Sequence, residues 1–219
     1  MRDHRVVNHG AHDARSASIV HIETLSSGNA YLMRVLQHIA VAILIAWLIL
    51  DGMIVFRRMS GKAQNRDRFS LRVVAFGNMI SWIAGTWLAY RQLGMIRPTL
   101  PAQIIGLLIM VSGIAVRSIA IAQLGRLHTP NVAVLDDHEV FDQGLYRRIR
   151  HPSYLGALIA FLGFSLALGS WLSLIVIMAL SLFVYLFRIH EEEAALAAGL
   201  GEQYADYRRR TWRLVPGVF

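Results

Sequence analysis

Five long apolar stretches separated by polar clusters organise this chain. The first runs from about Leu32 to Phe56, with the unbroken apolar run Ile39–Leu50 at its centre. The second covers about Val73–Tyr90 and the third about Ala102–Ala122. The fourth and fifth, Tyr154–Leu168 and Trp171–Phe187, read as a hairpin turning at Gly169-Ser170. A helix needs about 20 apolar residues to cross the hydrocarbon core. The pattern therefore predicts an all-α integral membrane protein with about five transmembrane helices. The fourth stretch is short for a span, so it either borrows length from its flanks or sits in a protein-lined interior. Residues 1–29 are polar, rich in His, Arg and Ser, and lack sustained periodicity, which predicts a disordered tail. They do not read as a signal peptide, because the apolar run after them begins too late and is too long. The expected organisation is a tail (1–29), three membrane helices (30–123), and a more polar C-terminal region carrying the helical hairpin (124–219).

Loop charge gives the orientation. Arg57, Arg58, Lys62, Arg66, Arg68 and Arg72 fill the first connection, whereas the second holds only Arg91 and Arg97. The third carries Arg126, Arg147, Arg148 and Arg150, the hairpin turn has no charge, and Arg208, Arg209, Arg210 and Arg213 follow the last span. Cytosolic loops collect Lys and Arg, so the N-terminus is expected outside and the three basic regions in the cytosol. Composition agrees: 55% of residues are hydrophobic, 16% are charged, and the mean hydropathy is +0.46. The net charge of +8 sits between and after apolar runs, which points to anionic lipid headgroups and away from nucleic acid. The absence of cysteine excludes disulfides, thiolate zinc sites and cysteine nucleophiles.

Two polar segments are not accounted for by membrane anchoring. One is the connection from Gly125 to Ser153, long for a link between membrane helices but containing Val132, Val134, Val140, Phe141 and Tyr146. It ends in Arg150-His151-Pro152-Ser153-Tyr154, which alone also fits a basic flank, a first-turn proline and an interfacial tyrosine. The other is the segment from Arg188, with Glu191, Glu192 and Glu193 in succession. Three glutamates beside a negative membrane surface are a poor anchor and oppose the basic trend of the other flanks. The irregularly spaced His4, His9, His12 and His21 do not form a metal-ligand pattern, and no metal is expected. Asp51 falls near the cytosolic end of the first span. No phosphate-binding glycine loop, Ser-His-Asp order or helical HExxH occurs.

Together the two segments resemble the isoprenylcysteine carboxyl methyltransferase family, in particular its bacterial-type members. The resemblance rests on Arg150-His151-Pro152-x-Tyr154, a hydrophobic hairpin, and then Glu192-Glu193. Upstream, His138, Gly144 and Tyr146 fit its H-x-x-V-x-x-G-x-Y pattern, with Val140 one position before its valine; downstream, Leu196, Gly201, Tyr204, Tyr207 and Pro216 fit its tail. A cofactor-contacting glutamine of the eukaryotic enzymes has no clear counterpart in the shorter loop here. The resemblance covers residues 124–216, which makes that region the expected methyltransferase core.

The resemblance implies a membrane carboxyl O-methyltransferase that uses S-adenosyl-L-methionine. It implies a cytosolic cofactor pocket built from the loop before the fourth helix and from the C-terminal segment. His138, Glu139, Val140, Phe141, Tyr146, His151, Pro152, Ser153, Tyr154 and Glu192 would contact the cofactor, and Arg188 would position the substrate carboxylate. The acceptor would be prenylated or otherwise lipophilic, entering from the membrane lipids. Two alternatives share the scaffold: a phospholipid or other lipid N-methyltransferase, and an NADPH-dependent sterol-type reductase. An amine acceptor would not need Arg188, and no 2′-phosphate site is evident. A non-enzymatic scaffold leaves both polar segments unexplained.

Overall fold

The computed structural model describes residues 6–58, 65–125 and 140–218. Among these the chain is helical, with no strand and two isolated backbone bridges. The helices are α1 (Val6–Arg58), α2 (Asn65–Tyr90), α3 (Thr99–Leu124), α4 (Pro152–Ala167), α5 (Trp171–Leu200) and α6 (Glu202–Arg210). A 3₁₀ turn, Gly144–Arg147, precedes α4. Helix α1 begins at Val6, so it runs back into the stretch that the sequence reads as a polar tail. Extending a helix already nucleated in the bilayer costs far less than starting one in water.

Among the described residues, four helices are long and apolar enough to cross a membrane: Ser27–Ile54 within α1, Arg72–Tyr90 within α2, α3 and α5. Many of their large apolar side chains, among them Ile49, Ile83, Leu108 and Phe183, point outward, as lipid-facing surfaces do. Helix α4 differs. It has 16 residues, about 24 Å of helix, and 11 of them are buried. Its turn into α5 pairs with the α2–α3 connection through Ile96 N to Gly169 O and Trp171 N to Gly94 O, both 2.9 Å. Its N-terminus lies at the opposite end, by the 3₁₀ turn. The fourth apolar stretch is therefore an interior helix, which explains how it can be short.

Close approach to α3 makes that burial possible. A Cβ added at Gly113 would lie 2.2 Å from the Ala160 backbone nitrogen, and one at Gly163 would lie 2.1 Å from that of Met110. The two backbones touch where each glycine faces the other helix, the packing that membrane helices use in place of a hydrophobic driving force. Phe161 and Phe164 of α4 complete the core, with the Phe161 ring 5.5 Å from Trp47 of α1 and 5.2 Å from Trp82 of α2. Helix α5 starts at Ser170, whose Oγ accepts from Ser173 N at 3.2 Å, a standard N-cap. Ser173 Oγ donates to Gly85 O of α2 at 2.6 Å, fixing α5 against that helix.

Candidate active site

At the end of the bundle away from the α4–α5 turn, the 3₁₀ turn, the start of α4, the second half of α5, and α6 converge. Proline at the first position of α4 lacks only an N–H that the helix would leave unpaired there. The chain before it is held by a strap from beyond α6. Arg150 N donates to Trp212 O at 2.8 Å, His151 N to Arg213 O at 3.2 Å, and Trp212 N to Arg148 O at 2.9 Å. Gly144 has φ +58, and a Cβ there would strike the Gln123 side chain at 2.6 Å. That side chain accepts from Leu145 N at 2.9 Å, so glycine lets the turn dock on the end of α3.

This frame brings together most of the residues expected from sequence. Tyr154 donates its hydroxyl to Glu192 Oε2 at 2.7 Å, and Arg188 interacts with the same phenol. Arg188 is buried. The His151 ring is buried and stacks on Tyr154 at 5.5 Å with 8° between the planes. Its Nδ1 lies 4.0 Å from Glu192 Oε2. Tyr146 is buried, meets Phe141 edge-on at 5.5 Å, and receives at its carbonyl the Tyr207 hydroxyl at 2.7 Å. Burial pushes the Tyr146 phenol above its ordinary pKa, and the Glu192 carboxylate adds to this, while a hydrogen bond with Ser153 opposes it. Val140 and Phe141 are half-buried at the edge of the group. His138 and Glu139 lie outside the described residues.

Three partners of this group are not among the site residues expected from the sequence. Glu193 is buried and is the centre of an ion network: Arg150 Nε reaches its Oε1 at 2.9 Å and Arg213 Nη2 its Oε2 at 2.8 Å. His151 Nε2 lies 3.4 Å from Glu193 Oε1, so the imidazole faces one glutamate with each nitrogen. Arg150 also donates from Nη1 to the carbonyls of Arg208 and Thr211, tying α6 to the motif.

The other two are Arg117 and Asp51. Arg117 of α3 is buried and grips Asp51 of α1 with both prongs, Nε to Oδ1 at 3.1 Å and Nη2 to Oδ2 at 2.7 Å. Its Nη1 donates to Ser153 O at 3.3 Å, and its guanidinium lies 6.0 Å over the Trp47 ring. The ion pair therefore closes the floor of the site. An ionised residue inside an apolar span is a functional candidate by default, and this signal in the third stretch was open to the sequence reading.

The chemistry of the set is that of a site for a polar, partly cationic ligand beside a membrane. It offers a carboxylate with one exposed edge, stacked aromatic faces and a buried guanidinium, next to a lipid-facing bundle.

Comparison with known proteins bears directly on this arrangement. Residues 104–198 match the isoprenylcysteine carboxyl methyltransferase family. That span contains α4, the 3₁₀ turn and the Arg188–Glu193 segment. A protein-S-isoprenylcysteine O-methyltransferase of Dictyostelium discoideum is 32% identical over 116 residues, covering 52% of this chain and 49% of the relative. A probable protein-S-isoprenylcysteine O-methyltransferase of Oryza sativa subsp. indica is 30% identical over 119 residues, covering 52% and 61%. The chain thus spans about half the length of the curated relatives it matches. A solved structure of the eukaryotic intramembrane Ras methyltransferase, isoprenylcysteine carboxyl methyltransferase, superposes with a TM-score of 0.55 at 26% identity, covering 66% of this chain and 52% of that one. The all-helical membrane fold is shared with that structure. These relatives are eukaryotic and lend nothing to the narrower expectation of a bacterial-type member.

Proposed function

We propose that this chain is an integral membrane methyltransferase that transfers a methyl group from S-adenosyl-L-methionine to the carboxylate of a prenylated or similarly lipophilic acceptor. One observation carries the reading: the Tyr154 phenol lies between Glu192 and Arg188, joining the two motif segments in one site. Family likeness over residues 104–198 supports the same chemistry.

The residues present fit the cofactor. Glu192 retains an exposed edge able to accept from hydroxyl or amino groups, and Tyr146, His151 and Tyr154 present aromatic faces suited to an adenine ring and a sulfonium charge. When bound, the cofactor supplies a methyl group on an electrophilic sulfonium. An acceptor carboxylate is already ionised at neutral pH, so the chain needs no general base. Its task is alignment and exclusion of water. Arg188 serves as the clamp, since a planar guanidinium grips a carboxylate at two points. His138, Glu139, Val140, Phe141, Pro152 and Ser153 complete the expected cofactor contacts. The Arg117–Asp51 pair holds the Ser153 carbonyl and thereby the first turn of α4.

The basic connections support a cytosolic position for this end of the bundle, with the N-terminus outside. The cofactor then enters from water while the acceptor's apolar tail enters sideways from the bilayer.

Isothermal titration of the detergent-purified protein with S-adenosylmethionine, S-adenosylhomocysteine and NADPH tests the cofactor class. Binding of both sulfur nucleosides and not NADPH is expected; the reverse overturns the proposal. Radiolabelled methyl transfer to a prenylated cysteine should give a base-labile ester. A base-stable product in lipid extract would instead indicate an amine acceptor.

A further inference from the structure

A cavity lies at the other end of the bundle. About 250 Å³ in volume, it opens between the start of the α1 span, the end of α2 and the connection that follows. Its lining includes Met33, Arg34, Gln37, His38, Tyr90 and Gln92. The Arg34 and His38 side chains are exposed, and His38 Nδ1 donates to the Arg34 carbonyl at 2.7 Å, with its ring 5.6 Å from that of Tyr90. Gln37 is buried, with its amide fixed on Leu168 O at 2.8 Å, so the back wall is rigid.

Charge and depth identify the occupant. Residues 27–40, 86–103 and 167–173, which build this end, include Arg34, Arg91 and Arg97 and no Asp or Glu. Tyr31, Trp87, Tyr90 and Trp171 are exposed around it, the aromatic belt that marks headgroup depth. A cationic pocket opening at headgroup depth, lined by amide and phenol donors together with apolar Met33 and Met95, matches a phosphate on an acyl glycerol.

We infer that this cavity binds the headgroup of an anionic phospholipid in the leaflet away from the active site, with Arg34 as the ionic partner. The inference stands independently of the methyl-transfer reading.

The full chain, reconstituted into nanodiscs of mixed phosphatidylglycerol and phosphatidylcholine, allows a direct test by native mass spectrometry of the retained lipid. Wild type is expected to retain phosphatidylglycerol over phosphatidylcholine. Arg34→Gln should lower that preference about fivefold, the scale of one basic residue near an anionic surface. Arg97→Gln, which removes the same charge from the same end but not from the lining, should keep it. Equal loss in both variants, or no preference in wild type, overturns the site. Thermal unfolding of wild type provides a check that needs no variant. Phosphatidylglycerol should raise the midpoint above that in phosphatidylcholine, and soluble glycerol phosphate should not. Equal stabilisation by glycerol phosphate would mean a free-phosphate site and would overturn the lipid assignment.

Discussion

Glu192 and Glu193 are adjacent in sequence but serve opposite surroundings: the Glu192 side chain is 30% exposed and takes the Tyr154 hydroxyl, whereas that of Glu193 is 6% exposed and is held by Arg150 and Arg213. Successive helical residues point about 100° apart, so one carboxylate faces the site and the other the strap behind it. Their substitutions should therefore separate stability from binding.

Glu193→Ala leaves the Arg150 guanidinium, whose side chain is only 9% exposed, without its counter-charge. Removing one partner of a buried pair costs about 3–5 kcal/mol, so the thermal midpoint in detergent should fall sharply. An unchanged midpoint would show that the network has no structural role.

Glu192→Ala should fold normally and weaken S-adenosylmethionine binding by about 10–100-fold, the value of a hydrogen bond to a charged group. Arg188→Ala should leave that affinity within about threefold while kcat/KM falls by about 10²–10³, as for loss of a positioned charge contact in a transition state. Calorimetry and methyl-transfer kinetics on the same preparations decide it. Parallel loss of cofactor affinity in both variants would refute the division of roles.

Gly163→Ala drives a methyl group into the Met110 backbone nitrogen, a contact that no rotamer change can relieve. Overpacking of about 1–3 kcal/mol is expected. Gly28→Ala, where a Cβ meets nothing within 4 Å, is the matched control and should not lower the midpoint.

Alkaline pH should loosen the C-terminal assembly. Burial raises the phenols of Tyr146, Tyr204 and Tyr207 above their ordinary pKa, with nearby carboxylates adding to it. Unfolded tyrosine ionises near pH 10. A raised folded pKa means that the stabilisation is complete below that value and is lost as pH rises from there toward the folded pKa. Phenolate absorbance should show late-titrating tyrosines, and the unfolding midpoint should drop above about pH 10. Tyr207→Phe, which removes the donor to Tyr146 O, should flatten part of that drop.

Hydropathy made the lipid-facing helices legible because lipid contact selects for apolar residues one by one. It could not distinguish α4, where glycines and aromatics make an equally apolar run for burial against protein. The motif residues His151, Tyr154, Arg188 and Glu192 were readable as a group because their spacing follows the family pattern. Glu193 was passed over as the second half of a pair, since which of two adjacent carboxylates faces inward depends on helix rotation. Arg117 was visible as a charge in an apolar run, but its partner Asp51 lies 66 residues away, a separation that no local pattern encodes.

The strap from Thr211 to Leu214 has a consequence for how the molecule comes into being. Arg148 O, Arg150 N and His151 N take their backbone partners from Trp212 and Arg213, and Arg150 anchors on Thr211. A ribosome delivers the membrane helices first and the strap only after more than 40 further residues beyond α4. The helices can therefore insert and pack while the loop that ends in His151 still lacks its frame. Assembly of this site is a late step in synthesis, and a nascent chain stalled before Thr211 would be a membrane-inserted bundle without a completed pocket.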